Sequence, residues 1–414
     1  MIYERPKYKN QYENFIGGEW IAPSSGEYIE NISPVDGKLL TKIPRSNEKD
    51  VDLAVEAAKK GFEEFKHTSV TQRSALLNKI ADIVEANLET LAVAETLDNG
   101  KAVRETLNAD LPLFIDHFRY FASVIRAESG TISDLDENTI SQEIYEPYGV
   151  VAQIIPWNFP LLMAAWKLAP AIAAGNCVVL KPASSTPLSI LLFLDLIKDV
   201  LPKGVINVVN GAGGKIGKHL VTHRDVKKVA FTGETSTGQE IMRYATENII
   251  PSTLELGGKS PNVFFKSIMD ADDEFFDKAI EGLVLFAFNS GEVCTCPSRA
   301  LIEESIYEPF MKRVIERVKA IKLGNPLDTE NTMGAQNSFN QKEKIAKYLK
   351  IAKEDGAECL VGGDIYHSSV NPDGFYIEPT IYKGHNKMRI FQEEIFGPVL
   401  SVTTFKDEKE AVEI

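Results

Sequence analysis

A short apolar run followed by a helical segment repeats along the sequence from Val150 to residue 258, and this alternation restricts the fold more than any other feature. The strand-like runs are VVAQIIP, CVVLKP, VINVVNG, KKVAFTG and STLELGG. That order is typical of a parallel sheet covered by helices on both faces. Because ligands of such sheets bind beyond the carboxyl ends of the strands, the residues that follow each run are the candidate functional residues.

The region before Val150 has a different character. Residues 48–128 have mostly helical periodicity, and residues 129–148 change to two short alternating runs around the polar turn DLDENT, which predicts a β-hairpin. We expect this exposed hairpin to mediate assembly of subunits. A chain of 414 residues is too long for one simple core, so two or three domains are expected.

Composition narrows the classes of partner. A formal net charge of −14 disfavours nucleic acid, since binding phosphate backbones depends on Lys and Arg. The longest apolar stretches, such as SILLFL, are far shorter than the roughly 20 residues of a membrane span, and the N-terminus has no apolar signal core. We therefore expect no nucleic-acid or membrane partner and a cytoplasmic location.

Two glycine-rich turns are candidate pyrophosphate sites. NGAGGKIG, residues 210–217, follows a strand, but its spacing is GxGxxxG instead of GxGxxG, and a tight strand-to-helix turn explains it equally well. FTGETSTG places Gly233 and Gly238 around hydroxyl residues at a helix start, where free N–H groups and the helix dipole favour a pyrophosphate. An ordinary helix cap formed by Thr235 or Ser236 is the alternative.

Three further strand ends carry polar side chains. PWNFP holds Asn158 between prolines that restrict its backbone, which makes its amide a candidate oxyanion donor. KPAS brings Lys181 off an apolar strand, either to meet a ribose hydroxyl or phosphate or simply to be solvated. ELGGKSP places Glu255 directly after a strand, where desolvation would raise its pKa and make it a base near neutral pH.

The cysteines fall into two groups. Cys177 and Cys359 stand alone in apolar surroundings and are predicted to be core thiols, because four cysteines in so long a chain do not make a disulfide framework. GEVCTCPS, residues 291–298, places Cys294 and Cys296 one residue apart. A metal site needs three or four ligands at recognisable spacing, which are absent, and a redox pair would favour C-x-x-C. A single nucleophilic thiolate, served by an amide donor, a carboxylate base and a nucleotide site, explains more of the chain.

These segments together resemble the NAD(P)-dependent aldehyde dehydrogenase superfamily. PWNFP, KPAS, FTGETSTG, LELGGKSP, GEVCTCPSR and EEIFGPV occur in the order of its signature segments, and FIGGEW near the N-terminus fits as well. The sequence around Cys294 is most similar to that of the aldehyde dehydrogenase B and acetaldehyde dehydrogenase branch, whose members oxidise short aliphatic aldehydes. The resemblance implies oxidation of a small, acetaldehyde-like aldehyde to the acid, with NAD as cofactor and NADP tolerated, by a homodimer or homotetramer.

The resemblance also implies an α/β fold with a Rossmann-type parallel-sheet cofactor domain, an α/β catalytic domain and a β-hairpin oligomerisation arm. The expected boundaries are 1–128 and 149–257 for the cofactor domain, 129–148 for the arm and 258–414 for the catalytic domain. The catalytic domain is expected to be C-terminally incomplete, since the chain stops at EAVEI, before the segment with which the family completes its substrate tunnel.

Residue roles follow from the same match. Cys294 is the first cysteine of the family pattern G-[QE]-x-C and hence the nucleophile, Asn158 and the Cys294 N–H bind the oxyanion, Glu255 activates the hydrolytic water, and Lys167 assists proton transfer. The implied cofactor contacts are Ile155, Pro156, Trp157, Lys181, Ser184, Gly233, Thr235, Gly238, Leu256, Glu394 and Phe396. The implied lining of the aldehyde tunnel is Met163, Trp166 and Phe288.

Two residues depart from the usual family pattern, and two alternative functions stay open. Glu234 stands where many relatives have Ser near the pyrophosphate, and Ser184 where strictly NAD-preferring relatives often have Glu. One alternative is a CoA-acylating dehydrogenase, which the presence of Glu255 disfavours. The other is a non-catalytic, family-derived binding protein, which the intact set Asn158, Glu255 and Cys294 disfavours.

Overall fold

The computed structural model describes all 414 residues. In chain order the strands are β1 Asn14–Ile16, β2 Glu19–Ile21, β3 Tyr28–Ile32, β4 Leu39–Pro44, β5 Ile132–Asp136, β6 Thr139–Gln142, β7 Val150–Ile154, β8 Cys177–Lys181, β9 Ile206–Val208, β10 Val226–Thr232, β11 Ser252–Glu255, β12 Pro261–Phe264, β13 Arg299–Glu303, β14 Glu358–Val361, β15 Thr380–Lys383 and β16 Val399–Phe405.

The helices are α1 Glu48–Phe65, α2 Val70–Ala86, α3 Leu88–Asn99, α4 Val103–Glu105, α5 Leu111–Val124, α6 Pro160–Ala173, α7 Leu188–Ile197, α8 Lys218–Thr222, α9 Thr235–Ala245, α10 Glu274–Val284, α11 Tyr307–Lys319, α12 Phe339–Glu354, α13 Arg389–Gln392 and α14 Glu408–Glu413. Two π-helical segments, Thr106–Asp110 and Gly213–Gly217, lead into α5 and α8. None of these helices is both long and apolar enough to cross a membrane.

The larger sheet has seven strands in the order β11-β10-β7-β8-β9-β1-β2. Strands β7 to β11 pair in parallel, as the alternation of strands and helices predicts, and β7 and β8 are buried along their whole length. Continuous apolar runs such as VVAQI suit strands that helices cover on both faces. A buried apolar cluster of 53 residues surrounds this sheet.

The smaller sheet has five strands in the order β12-β13-β16-β15-β14 and its own buried cluster of 19 residues. Its strands are parallel except for β14, which pairs antiparallel at the edge. The prediction of a core thiol at Cys359 is wrong, because this residue lies on the edge strand β14 and its side chain is exposed. Cys177, on the central strand β8, is buried as predicted.

The hairpin predicted at 129–148 forms from β5 and β6. Its turn is tighter than the sequence suggested, since β5 extends through Asp136 and β6 begins at Thr139, which leaves only Glu137 and Asn138 between them. Every residue of both strands is exposed. A two-stranded ribbon without a covered face has little stability of its own.

Candidate active site

The site begins at the carboxyl ends of the parallel strands β7, β8, β10 and β11. Ile154 pairs with Lys181 on one side and with Phe231 on the other, and Thr232 pairs with Glu255. The four strands therefore end in register, and the segments that follow them leave the sheet along one edge. This is where ligands bind in open parallel sheets.

Asn158 is fixed at this edge by contacts on both sides of its backbone. The Asn99 side chain donates to the carbonyl of the preceding Trp157 at 2.8 Å, and the Asn158 side chain is buried. Its Nδ2 donates to the carbonyl of Glu292 at 2.9 Å. A primary amide has two N–H groups, so the second one is available to another acceptor, such as a developing oxyanion.

The loop that carries the cysteine pair, residues 289–298, is here called the nucleophile loop. It starts with three residues of left-handed conformation, Asn289, Ser290 and Gly291, with φ of 51°, 55° and 75°. A side chain at position 291 would meet the backbone of Gly397 at 2.1 Å, so only glycine fits there. The chain thus reverses sharply just before Cys294 and then enters β13.

The two cysteines of the loop lie in different surroundings. Cys294 is partly exposed, and its thiol faces the backbone N–H groups of Cys294 and Thr295, which lower its pKa, although burial has the larger effect and the net pKa is raised. Cys296 is buried in the core of the smaller sheet, its thiol donates to the carbonyl of Phe286, and burial raises its pKa to about 12. Only Cys294 is placed to react with a ligand.

Lys167 lies close to several polar groups of the candidate site. This residue of α6 is buried, and its ammonium donates to the hydroxyl of Thr232 at the end of β10. Burial lowers the pKa of Lys167 to about 8, and the negative charges of Glu255 and Cys294 oppose that shift. Lys167 is therefore near both groups.

The expected desolvation of Glu255 is wrong: its side chain is exposed, because β11 is the edge strand of the sheet and the residue faces a cavity.

The first turn of α9 suits the pyrophosphate of a dinucleotide. The residue before the helix, Glu234, makes no side-chain cap, which leaves the first N–H groups of an 11-residue helix free. A Cβ at Gly233 would meet the ring of Phe231 at 2.6 Å, and one at Gly238 would meet Leu256 at 2.4 Å. Both glycines therefore allow a close approach that larger residues would block. Thr235, the first residue of α9, is exposed beside them.

Lys181 ends β8, and Ser184 follows in the next turn. The Lys181 side chain is buried rather than solvated, its ammonium donates to the carbonyl of Pro182 at 2.8 Å, and burial lowers its pKa to about 8. The Ser184 hydroxyl donates to the carbonyl of Gly211 at 2.8 Å. The glycine-rich turn 210–217 thus packs beside the KPAS segment, and the single hydroxyl proton of Ser184 is already used within the protein.

Glu394 reaches the same edge from the smaller sheet. Its carboxylate accepts the N–H of Gly258 at 3.1 Å, and burial raises its pKa. Phe396 has a left-handed backbone, with φ of 60°, and its ring contacts the edge of the Trp157 ring at 5.2 Å between centroids. The two sheets therefore both contribute to the cleft. Ile155, which is buried in the core, and Pro156, which is half-buried, follow the end of β7 at this edge.

The three residues expected in the aldehyde tunnel differ in exposure. Trp166 lines a cavity of about 1010 Å³ together with Lys167 and Glu255. Met163 is buried in the core of the larger sheet, and Phe288 packs against that core while partly buried. Only Trp166 of the three contacts the cavity.

Sequence reasoning missed the groups behind the nucleophile loop. Glu105, in no recognised motif, accepts the backbone N–H of Asn289 at 3.0 Å. The Asn289 side chain donates to the carbonyls of Glu292 and Asn158, and the Glu292 carboxylate accepts the N–H of Asn337 at 3.0 Å. Glu292 stands in the GEVC segment and was visible as part of it. Nothing in the sequence near position 105 indicates its partner 184 residues away.

A comparison with known families identifies the family of this chain. The model described as the aldehyde dehydrogenase family matches residues 20–414. The chain belongs to the aldehyde dehydrogenase family. It is 64% identical to a long-chain-aldehyde dehydrogenase of Acinetobacter over 98% of this chain and 80% of that protein. It is 61% identical to aldehyde dehydrogenase B of Escherichia coli, over 99% of this chain and 80% of the relative.

Solved aldehyde dehydrogenases have the same fold. The P. syringae indole-3-acetaldehyde dehydrogenase, solved with NAD+ and IAA, superimposes with a TM-score of 0.94 at 40% identity, over 98% of this chain and 82% of that one. The Bacillus cereus aldehyde dehydrogenase in complex with NAD+ superimposes with a TM-score of 0.94 at 36% identity, over 100% of this chain and 84% of that one. The protein is thus an oxidoreductase of the NAD-dependent aldehyde dehydrogenases, which oxidise aldehydes to acids.

Proposed function

We propose that Cys294 is the nucleophile, Glu255 the base for hydrolysis, and Asn158 the oxyanion donor in the oxidation of a small aliphatic aldehyde. The observation that carries this proposal is the position of Lys167, whose pKa responds to both Glu255 and Cys294. It supports a single site in which a thiol, a carboxylate and an ammonium are neighbours. The relative named for long-chain aldehydes sets the upper end of the range of substrates to test.

The mechanism starts with the thiol. Cys294 gives its proton to a water molecule, and its sulfur adds to the aldehyde carbon to form a thiohemiacetal. The negative oxygen is stabilised by the free N–H of Asn158 and the backbone N–H of Cys294, and removing one such donor in comparable sites costs about 3 to 4 kcal/mol of transition-state stabilisation. Lys167 holds positive charge beside the thiolate and the carboxylate.

NAD, when bound, supplies the hydride acceptor for this oxidation. The residues that would hold it are the first turn of α9 with Gly233, Thr235 and Gly238 at the pyrophosphate, and the residues at the cleft edge: Ile155, Pro156, Trp157, Lys181, Ser184, Leu256, Glu394 and Phe396. The oxidised carbon remains on Cys294 as a thioester. Glu255, exposed to the cavity, takes a proton from water, and the resulting hydroxide releases the carboxylic acid and the Cys294 thiolate.

The proposal is tested by turnover of straight-chain aldehydes of increasing length with NAD, with the acid product quantified. We expect Cys296→Ala to retain turnover and Cys294→Ala to lose it. Parallel assays with CoA distinguish the acylating alternative, since acyl-CoA would then replace the acid. Loss of turnover in Cys296→Ala with activity in Cys294→Ala would reverse the assignment.

We further propose a cytoplasmic homodimer or homotetramer. Two facts support a reducing compartment: the proposed nucleophile must be a free thiol, and all four cysteines are unpaired in the structure. Supporting assembly, the β5–β6 hairpin exposes Ile132, Leu135 and Ile140, each with about two thirds of its surface accessible. Exposed apolar side chains on an open strand edge are typical of an interaction surface.

A further inference from the structure

The left-handed turn at the start of the nucleophile loop needs support from outside the loop. Asn289 and Ser290 both have positive φ, which L-amino acids adopt at an energetic cost, and they precede a Gly291 that packs against Gly397. The Ser290 hydroxyl is buried and makes no hydrogen bond, so it gives the turn no compensation. Such conformations persist only where the surrounding structure imposes them.

Glu105 supplies the support at the first of these residues. Its Oε1 accepts the backbone N–H of Asn289 at 3.0 Å. With this N–H held, the Asn289 side chain donates to the Asn158 carbonyl at 3.3 Å and to the Glu292 carbonyl at 3.1 Å. The Glu292 carbonyl is the same atom that accepts Asn158 Nδ2. One chain of hydrogen bonds thus runs from Glu105 to the proposed oxyanion donor.

Glu105 itself is rigidly placed. It ends α4 and directly precedes the π-helical turn Thr106–Asp110, and its side chain is buried. π-Helical turns inside helices are frequent at functional sites. The second oxygen, Oε2, is buried without a partner, so the carboxyl makes its one hydrogen bond to the loop.

The charged groups around Glu105 do not replace that bond. Lys101 and Arg104 lower its pKa and Asp110 raises it, but burial dominates and places the pKa at about 8. Lys101 already pairs with Asp110 at 2.6 Å. A carboxyl group keeps an acceptor oxygen whether or not it is protonated, so the contact to Asn289 does not depend on the charge of Glu105.

We propose that Glu105 is a positioning residue for the nucleophile loop: by accepting the Asn289 N–H it fixes the left-handed turn and so aligns Cys294 with the Asn158 amide. This inference rests on the proposed function, since it takes Cys294 as nucleophile and Asn158 as oxyanion donor. Glu105 acts through the loop backbone and touches neither substrate nor cofactor.

Two substitutions distinguish the position of the Glu105 acceptor oxygen from the charge of the carboxylate. Glu105→Gln removes the charge but keeps an acceptor oxygen at the same distance, so it retains the pre-steady-state burst of NADH and the rate of Cys294 alkylation by iodoacetamide. Glu105→Asp keeps the charge but withdraws the oxygen by one methylene. We expect it to lower both rates by about tenfold to a hundredfold, the range that a misplacement of about 1 Å costs. The dissociation constant for NADH stays unchanged in both variants, because neither Glu105 nor Asn289 is among the residues proposed to hold the cofactor.

Thr106→Val is the matched control. Thr106 is buried in the adjacent turn and bonds to Val103 and Ala92 but not to the loop, so its loss lowers thermal stability without changing the burst. In the Glu105→Asp background, Ser290→Gly recovers part of the burst, since glycine adopts positive φ freely. Equal losses of the burst in Glu105→Gln and Glu105→Asp, or a normal burst in Glu105→Asp, would overturn the inference. A wild-type burst that does not require Cys294 would instead overturn the proposed function.

Discussion

At the scale of single residues, the charge at the site is set by Lys167. Its ammonium is buried at the end of β10, which lowers its pKa to about 8, while the negative charges of Glu255 and Cys294 oppose that shift. Because the interaction is reciprocal, protonated Lys167 favours the Cys294 thiolate, whereas burial raises the pKa of the thiol. The charge of Lys167 is lost as the pH rises through about 8, and its help to the thiolate disappears above that value.

We therefore predict that Lys167→Met slows Cys294 alkylation below about pH 8, where the lysine is charged, and leaves the rate unchanged at higher pH. The measurement is the pseudo-first-order rate of iodoacetamide labelling from pH 6 to 11, with Cys294 modification verified by peptide mass spectrometry. Lys198→Met is the control, because Lys198 pairs with Asp195 on the protein surface away from the thiol. An unchanged or faster rate below about pH 8 in Lys167→Met would show that the lysine does not stabilise the thiolate.

At the scale of elements, α9 is the part of the fold most specifically shaped for a dinucleotide. Its first turn is uncapped, and Gly238 leaves room beside Leu256 that a Cβ would fill, at 2.4 Å from Leu256 Cδ2. Displacing Leu256 would alter the surface that the cofactor meets.

Gly238→Ala is accordingly predicted to weaken NADH binding about tenfold, the effect of roughly 1.4 kcal/mol of lost binding energy. Fluorescence titration with NADH measures it. Gly282→Ala, in the helix α10, is the matched control: nothing lies within 4 Å of the added Cβ, so it leaves binding unchanged and raises thermal stability slightly. Equal affinity of the Gly238→Ala variant and the wild type would argue against the pyrophosphate site at α9.

The sequence predicted the elements of the larger sheet better than the contacts between distant segments. Alternation of apolar runs and helices located β7 to β11, because a strand buried on both faces needs an unbroken apolar run. The proposed roles of Cys294 and Glu255 come from local motifs and from the family resemblance that these motifs carry. Glu105 and Asn289 could not be found this way, since their contact depends on a three-dimensional path and a left-handed backbone that no local pattern encodes. The exposure of Glu255 likewise depends on β11 being an edge strand.

At the scale of the whole molecule, the two sheets each have their own core, and the hairpin of β5 and β6 lies outside both. The hairpin has no buried residue, yet it carries several large apolar side chains. A two-stranded ribbon of this kind gains stability when another chain covers it.

We predict that Ile132→Lys combined with Ile140→Lys lowers the molar mass measured by light scattering at equal protein concentration. Any interface that covers the ribbon would have to bury the two new ammonium groups, and the cost of burying these charges disfavours association. Leu53→Lys on α1 is the control, since Leu53 is an exposed apolar residue that lies outside the hairpin. An unchanged mass would place the subunit interface elsewhere.

The central claim, that aldehyde oxidation passes through a thioester on Cys294 which Glu255 hydrolyses, is tested most directly by trapping that thioester. Glu255→Gln keeps the size of the side chain but removes the base, so the acyl group should accumulate after one turnover. The measurement is mass spectrometry of the acid-quenched variant after incubation with NAD and acetaldehyde, followed by peptide mapping. We expect one acetyl group on Cys294, dependent on NAD and absent from wild type at completion. Acetyl on Cys296, or normal steady turnover of Glu255→Gln with no adduct, would contradict the account.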